Sequence, residues 1–287
     1  VNPDWQSRGL AIVGAGVIGA GVAAVAVGHG IPVVLVDVEQ SVLDRAEDTV
    51  RAHLHHGRVL GVLPVGPATG KLVTSLSMLA VAGTGAVVEA VTERAVVKTK
   101  ALAAVCRVVD AGTPLITCTS GIPITEIADW VGRPEDVVGV HFMAPPYLTR
   151  SVEVTRGSCT SAATVVAVGG LLAALGRDAV PVRDAHGSVS VRLLYPMINT
   201  AARIAAEETA RVEDFDALMG EWLRQPVGPL RTADLIGIDS LVDTLEAIYA
   251  RTGDKRFEPC AALLDKVSAG ELGRKSGRGF YGYEEEA

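Results

Sequence analysis

Cysteine is scarce in this 287-residue chain: there are four, Cys106, Cys118, Cys159 and Cys260. None has metal-ligand or redox spacing, which excludes a cysteine-built zinc or dithiol centre. The expectation is reduced, mostly buried thiols in a cytoplasm. Long apolar runs are also missing. Hydrophobic residues make up 49% of the chain, yet no uninterrupted run reaches the ~20 residues of a membrane span, so no membrane partner is expected. Positive charge is in deficit, with 26 Lys and Arg against 33 Asp and Glu and a net charge of −7. That balance argues against nucleic acid as the main partner. The opening Val1-Asn2-Pro3-Asp4 has no signal-peptide pattern, and a cytoplasmic location is expected. Of six histidines, His53, His55 and His56 fall together on a helical stretch without a nearby cysteine. They read as a solvent-facing run, and no metal is expected. Aromatics are only 4%. The apolar excess is alanine, valine and glycine, spread over buried strands and small-residue helices.

The most informative stretch that is present is Gly14-Ala15-Gly16-Val17-Ile18-Gly19. Leu10 to Val13 precedes it as a strand-type run, and Ala20 to Val27 follows as a helix. Val33 to Val36 then forms a second strand, closed by Asp37. In such a strand–turn–helix–strand unit Gly14 permits the tight turn and Gly16 lets the backbone approach a pyrophosphate. Gly19 lets helix and strand pack closely, with the phosphates at the helix N-terminus. Asp37 lies 18 residues past Gly19. A carboxylate there accepts hydrogen bonds from a ribose 2′-hydroxyl and repels a 2′-phosphate, so NAD is expected over NADP. The alternative is a glycine-rich turn in another α/β fold.

The first part of the chain continues to alternate. A helix is predicted near Ser41–Leu60, a loop at Pro64–Gly70, and strands near Lys71–Ser75, Ala86–Ala90, Leu115–Thr117 and Val137–His141. Ala95–Val109 reads as a helix between two of these strands. Val152–Thr155 and Asp178–Val182 read as further strands, with a helix at Ser161–Leu175 between them. The alternation predicts an α/β fold, a mostly parallel, doubly wound Rossmann-type sheet covered on both faces. Beyond Asp184 strand-like runs disappear. Val189–Glu207, Leu241–Tyr249 and Ala261–Ala269 are helical, Pro226, Gly228 and Pro229 punctuate a turn, and Gly273 to Tyr281 reads as an ordered loop. The expectation is an NAD-binding domain over residues 1–184 and a smaller all-α substrate and dimerisation domain over 185–287.

A Rossmann-type domain names a cofactor, not a reaction. The reaction must come from polar groups at the carboxyl ends of the strands. Ser120 follows one strand, and His141 ends another. A proline-containing loop, Ala144-Pro145-Pro146-Tyr147, leads into Ser151-Val152-Glu153-Val154 and can return Glu153 beside His141. A histidine oriented by a carboxylate is a general base, and Ser120 can hold a substrate oxygen. Read singly, each has a plainer alternative: a satisfied strand-end histidine, a surface carboxylate, a turn hydroxyl.

Together these residues resemble the 3-hydroxyacyl-CoA dehydrogenase family over nearly the whole chain. The blocks that carry the resemblance are the glycine fingerprint with Asp37, Val88 to Glu93 with Lys98, and Thr119-Ser120 with Ile122 to Ile127. They continue with His141-Phe142 to Glu153, Arg192 to Pro196, Pro226 to Pro229 with Ala233-Asp234 and Gly237, and Gly273 to Tyr281. The resemblance implies that Ser120, His141 and Glu153 are catalytic. It implies cofactor contacts from Gly14, Ala15, Gly16, Val17, Ile18, Gly19, Asp37, Glu93, Lys98, Ser120 and Lys275. The implied activity is NAD-dependent interconversion of a 3-hydroxyacyl thioester and its 3-oxoacyl form. His141 would take the 3-hydroxyl proton as hydride leaves C3. A homodimer through the C-terminal helices is implied as well.

The chain departs from the family pattern at three places. Val191 stands where a catalytic asparagine is usual, and Ala144 replaces an asparagine of the histidine loop. His53 and Leu60 occupy the places of a serine and a lysine that face the coenzyme A nucleotide. The substrate could therefore be held on an acyl carrier protein, as in relatives that oxidise a glyceryl group in polyketide pathways. Pro145-Pro146-Tyr147 resembles the loop of gulonate-type members acting on a free hydroxy acid or carnitine. A catalytically weak NAD-binding subunit is the reading from a different class.

Overall fold

The protein, seen in a computed structural model, is described at residues 5–66, 70–224 and 226–283. The opening four residues, and part of the loop expected at 64–70, lie outside them. The chain divides into two compact units, Val1–Ala185 and His186–Ala287.

In the first unit the elements run α1 (Trp5–Arg8), β1 (Leu10–Val13), α2 (Val17–Gly28), β2 (Val33–Val36), α3 (Gln40–Val59), β3 (Leu72–Ser75), β4 (Ala86–Glu89), α4 (Ala95–Cys106), β5 (Leu115–Thr117), α5 (Ile124–Ala128), β6 (Val137–His141), β7 (Ser151–Arg156), α6 (Ala162–Ala174) and β8 (Asp178–Arg183). The central strands are buried along their whole length, the pattern of strands covered on both faces. Among the described residues they form one eight-stranded sheet in the order β3-β2-β1-β4-β5-β6-β7-β8. The six strands from β3 to β6 are parallel, while β7 runs antiparallel to β6 and pairs in parallel with β8. The order reverses between β1 and β4, and a crevice at the carboxyl ends there is where open α/β sheets bind ligands.

Small side chains let α2 sink into the core. It is buried continuously from Gly19 to Gly28, against a cluster that includes Ile12, Leu35, Val88, Ile116 and Val138. Helix α3 instead buries one stripe, Leu43, Ala46, Val50 and Gly57. His55 and His56 are exposed, as expected of a solvent-facing run, while His53 is half-buried. His53 stacks on Tyr147 with ring centroids 4.6 Å apart, and His56 Nδ1 lies 2.7 Å from the Tyr147 hydroxyl. Positions 53 and 56 share a helical face, and that face covers a buried tyrosine of the loop after His141. The cysteines also differ from expectation. All four are free, but only Cys260 is buried; Cys159 is exposed because it sits in the turn between β7 and α6.

The second unit contains α7 (Val189–Ala206), α8 (Val212–Leu223), α9 (Pro229–Ile236), α10 (Ile238–Thr252) and α11 (Ala261–Ser268). Val191, Tyr195, Ile198 and Ala202 form the buried stripe of α7. Two buried polar residues tie loops to this frame. Asn199 accepts from the Cys260 N–H at 2.9 Å and donates to the Glu258 carbonyl at 2.8 Å. Asp234 accepts from the N–H groups of Phe280 and Tyr281, each at 2.9 Å. A Cβ on Gly279 would lie 2.0 Å from Asp234 Oδ1, so the glycine-rich end is an ordered loop fitted to that carboxylate. No described helix is long and apolar enough to cross a membrane.

Candidate active site

Three glycines of the first βα turn serve three different ends. Gly14 has φ +101°, and a Cβ there would meet the Ala90 carbonyl at 2.5 Å. A Cβ on Gly19 would fall 1.8 Å from the Gly14 carbonyl and 3.4 Å from Ile12 on β1. Gly16 is under neither constraint: its φ is −71°, and a Cβ would meet nothing within 4 Å. The space above Gly16 is not required by the chain itself. Gly16 is also the N-cap of α2 and offers no side-chain acceptor to the first-turn N–H groups. An open cradle at an uncapped N-terminus of a twelve-residue helix fits an anion such as a pyrophosphate. Asp37 closes β2 at this turn, accepting from Ala15 N–H at 2.8 Å and from Val38 N–H at 2.7 Å. It puts a carboxylate where a dinucleotide ribose is recognised.

Beyond β4, Glu93 gathers the segment that follows β5. Its Oε1 accepts from the N–H groups of Ser120 at 2.9 Å and Gly121 at 2.7 Å, and from the Thr119 hydroxyl. Its other oxygen lies 3.2 Å from Lys98 Nζ. Burial alone would raise the Glu93 pKa. The Lys98 charge, the Thr119 hydroxyl and the Gly121 N–H outweigh it and hold the carboxyl below its ordinary value. Lys98 is held in turn by Glu89, at 3.0 and 3.2 Å. Burial opposes the ammonium, but Glu89 and Glu93 overcome it and keep Lys98 firmly protonated. Desolvation, with the Glu89 charge beside it, pushes the pKa of the half-buried Cys118 thiol up, so the thiol stays protonated.

This network fixes Ser120, whose Oγ lies 3.1 Å from His141 Nε2. His141 closes β6 and Glu153 stands directly opposite it on β7, set there by the antiparallel register. His141 is buried, and burial lowers its pKa; Glu153 first and Glu93 second pull it partly back, and the net direction is down. The imidazole is therefore neutral at neutral pH and able to accept a proton, with a carboxylate in place to stabilise the imidazolium.

The structure thus brings Ser120, His141, Glu153, Glu93 and Lys98 into one connected group. Lys98 spends its ammonium on two carboxylates with its side chain 1% exposed. Lys275 lies in the second unit and pairs with Asp239 at 2.6 Å. Val191, in the same unit, is fully buried in the first turn of α7. Glu89 and Thr117 carry no role in the sequence motifs, although one signal is present: Glu89 ends the otherwise apolar run Ala86-Val87-Val88. A charge in a strand buried on both faces needs a partner.

Residues 9–185 match the family profile described as 3-hydroxyacyl-CoA dehydrogenase, NAD binding domain, and residues 187–283 match its C-terminal domain. A probable 3-hydroxybutyryl-CoA dehydrogenase of Bacillus subtilis is 36% identical over 283 residues, 98% of this chain and 99% of that protein. Among solved structures, M. tuberculosis FadB2 superposes with a TM-score of 0.83 at 31% identity, covering 96% of this chain and 99% of that one. The (S)-3-hydroxybutyryl-CoA dehydrogenase PaaH1 of Ralstonia eutropha gives 0.76 at 33% identity, covering 97% and 99%.

Proposed function

The chain belongs to the 3-hydroxyacyl-CoA dehydrogenase family and is an NAD-dependent oxidoreductase interconverting a 3-hydroxyacyl thioester and its 3-oxoacyl form, and from that premise we propose that His141 is its acid–base group, Glu153 the orienter of His141 and Ser120 the holder of the substrate oxygen. The observation that carries this reading is the 3.1 Å approach of Ser120 Oγ to His141 Nε2, with Glu153 opposite His141. NAD, when bound, supplies the acceptor for hydride from C3. The fingerprint turn from Gly14 to Gly19, with Asp37 and Glu93, would hold it. In oxidation Nε2 of His141 takes the proton of the 3-hydroxyl, and Glu153 offsets the charge that forms. In reduction the imidazolium returns that proton to the developing alkoxide. Ser120, held by its backbone to Glu93, keeps the reacting oxygen against Nε2.

The proposed substrate is a short 3-hydroxyacyl thioester of coenzyme A, the class named in the relatives. One observation favours an acyl carrier protein as a second reading. The places of the family's serine and lysine hold His53, stacked on Tyr147, and Leu60, which is 50% exposed. Neither offers a cationic grip on a nucleotide. A homodimer through the C-terminal helices is part of the proposal.

The direct test is turnover of 3-hydroxybutyryl-CoA by the His141→Ala variant. A loss of at least ~10²-fold in kcat with NAD affinity kept is expected for removal of a general base. Wild-type turnover under conditions where a hydride isotope effect shows chemistry to be rate-limiting would refute the assignment.

A further inference from the structure

Glu89 touches none of the groups assigned to proton transfer, yet it is a fully buried carboxylate at the end of β4. It belongs to a cluster of three charges. Lys98 Nζ lies 3.0 Å from Glu89 and 3.2 Å from Glu93, and the side chains of Lys98, Glu89 and Glu93 are 1%, 1% and 8% exposed. Two carboxylates share one ammonium, so the cluster carries a net charge of −1. Lys98 contacts both oxygens of Glu89 and one of Glu93, so the surplus belongs to the two carboxylates together. The other partners of Glu89 are donors suited to an ionised carboxylate: the Thr117 hydroxyl at 2.7 Å and the Val91 N–H at 2.9 Å. A buried surplus charge is costly and calls for a counterpart.

We propose that Glu89 supplies a fixed negative charge that favours binding of the oxidised, positively charged nicotinamide over the neutral reduced form. Placement supports this role, on the Ser120–His141 reading of the site. Glu93 holds the Ser120 N–H, and Ser120 touches His141. Hydride must leave a carbon whose oxygen sits at that pair, so the ring that takes it belongs against the same strand ends. The two forms of the cofactor share every other group and differ at the ring by one positive charge. A nearby charge in a buried setting is poorly screened. If Glu89 merely anchored Lys98, its loss would weaken both forms alike.

The test uses the full chain without substrate and reads the dissociation constants of NAD+ and NADH by calorimetry. Glu89→Gln is expected to raise the ratio Kd(NAD+)/Kd(NADH) by roughly tenfold or more, since a unit charge at an effective dielectric near 20 is worth about a factor of ten at a separation of roughly 12 Å and more at closer range. Thr117→Val removes a hydrogen bond to Glu89 and leaves its charge, so its ratio should stay at the wild-type value. Where Glu89→Gln does not fold, Glu93→Gln removes the same unit of charge and must move the ratio in the same direction. A ratio within about twofold of wild type in the folded charge variant overturns the proposal. So does an equal shift in Thr117→Val. The ratio is read without turnover, so this failure is distinct from failure of the site reading, which would appear as undiminished turnover in His141→Ala.

Discussion

At His141 two opposing influences meet, and their balance is measurable. Burial lowers its pKa below the ordinary 6.5, while Glu153 pulls the other way. Oxidation needs the neutral imidazole in the free enzyme, so kcat/KM should fall as pH drops through a value below 6.5. Glu153→Gln removes the stronger of the two charges that raise the pKa. The acidic limb should therefore move to still lower pH, while the plateau falls about ten- to hundredfold because the imidazolium is no longer stabilised. A merely structural role for Glu153 would lower the plateau and leave the limb in place. Much of the site was legible residue by residue. Asp37 and His141 each close an apolar run, and a polar residue there faces the crevice. Glu89 also closes such a run, but its meaning depends on Thr117 and Lys98. Thr117 reaches it only through the β4–β5 register, where the two are directly paired. That pairing is set by the sheet, not by spacing along the chain.

The turn and helix of the first unit allow protein stability to be separated from cofactor binding. Gly19 and Gly16 both belong to the fingerprint, but a Cβ collides with backbone at Gly19 and meets open space at Gly16. Gly19→Ala should destabilise the fold by about 1–3 kcal/mol, the usual cost of overpacking, and lower the melting temperature. Gly16→Ala should melt like the wild type and lose NAD affinity at least tenfold, because the added methyl occupies the cradle at the α2 N-terminus. Paired calorimetry and thermal melts check this; equal NAD binding by Gly16→Ala would mean that the cradle is not where the phosphates lie. Long elements such as α2, α3 and β6 were readable because their own residues carry the pattern. Helix α5 was not, because its first N–H groups are held from outside. Asp184, some 60 residues on, accepts from Ile124 and Thr125, each at 2.8 Å. Tyr147 was missed as a partner of α3 for the same reason, since it lies 91 residues from His56.

For the whole molecule the open choice is the carrier of the acyl group, and one truncation series addresses it. A charged hydrogen bond to a nucleotide phosphate contributes about 1.5–3 kcal/mol, which corresponds to roughly ten- to a hundredfold in affinity. A chain with such a grip should lose that much when coenzyme A is cut back to pantetheine. Here His53 is engaged by Tyr147, and Leu60 has no charge to offer. The loss in kcat/KM from 3-hydroxybutyryl-CoA to its pantetheine thioester should therefore stay within about tenfold. The same acyl group on an acyl carrier protein then divides the two readings. If it is turned over better than the coenzyme A thioester, the protein surface of the carrier supplies the missing contacts, and the carrier is the physiological handle. If the carrier form is ignored while truncation costs a hundredfold or more, a nucleotide grip exists elsewhere on the chain and coenzyme A is the substrate's carrier. The series reads out binding of the handle apart from the chemistry, because the reacting carbon, its hydroxyl and the groups at His141 are the same in all three substrates.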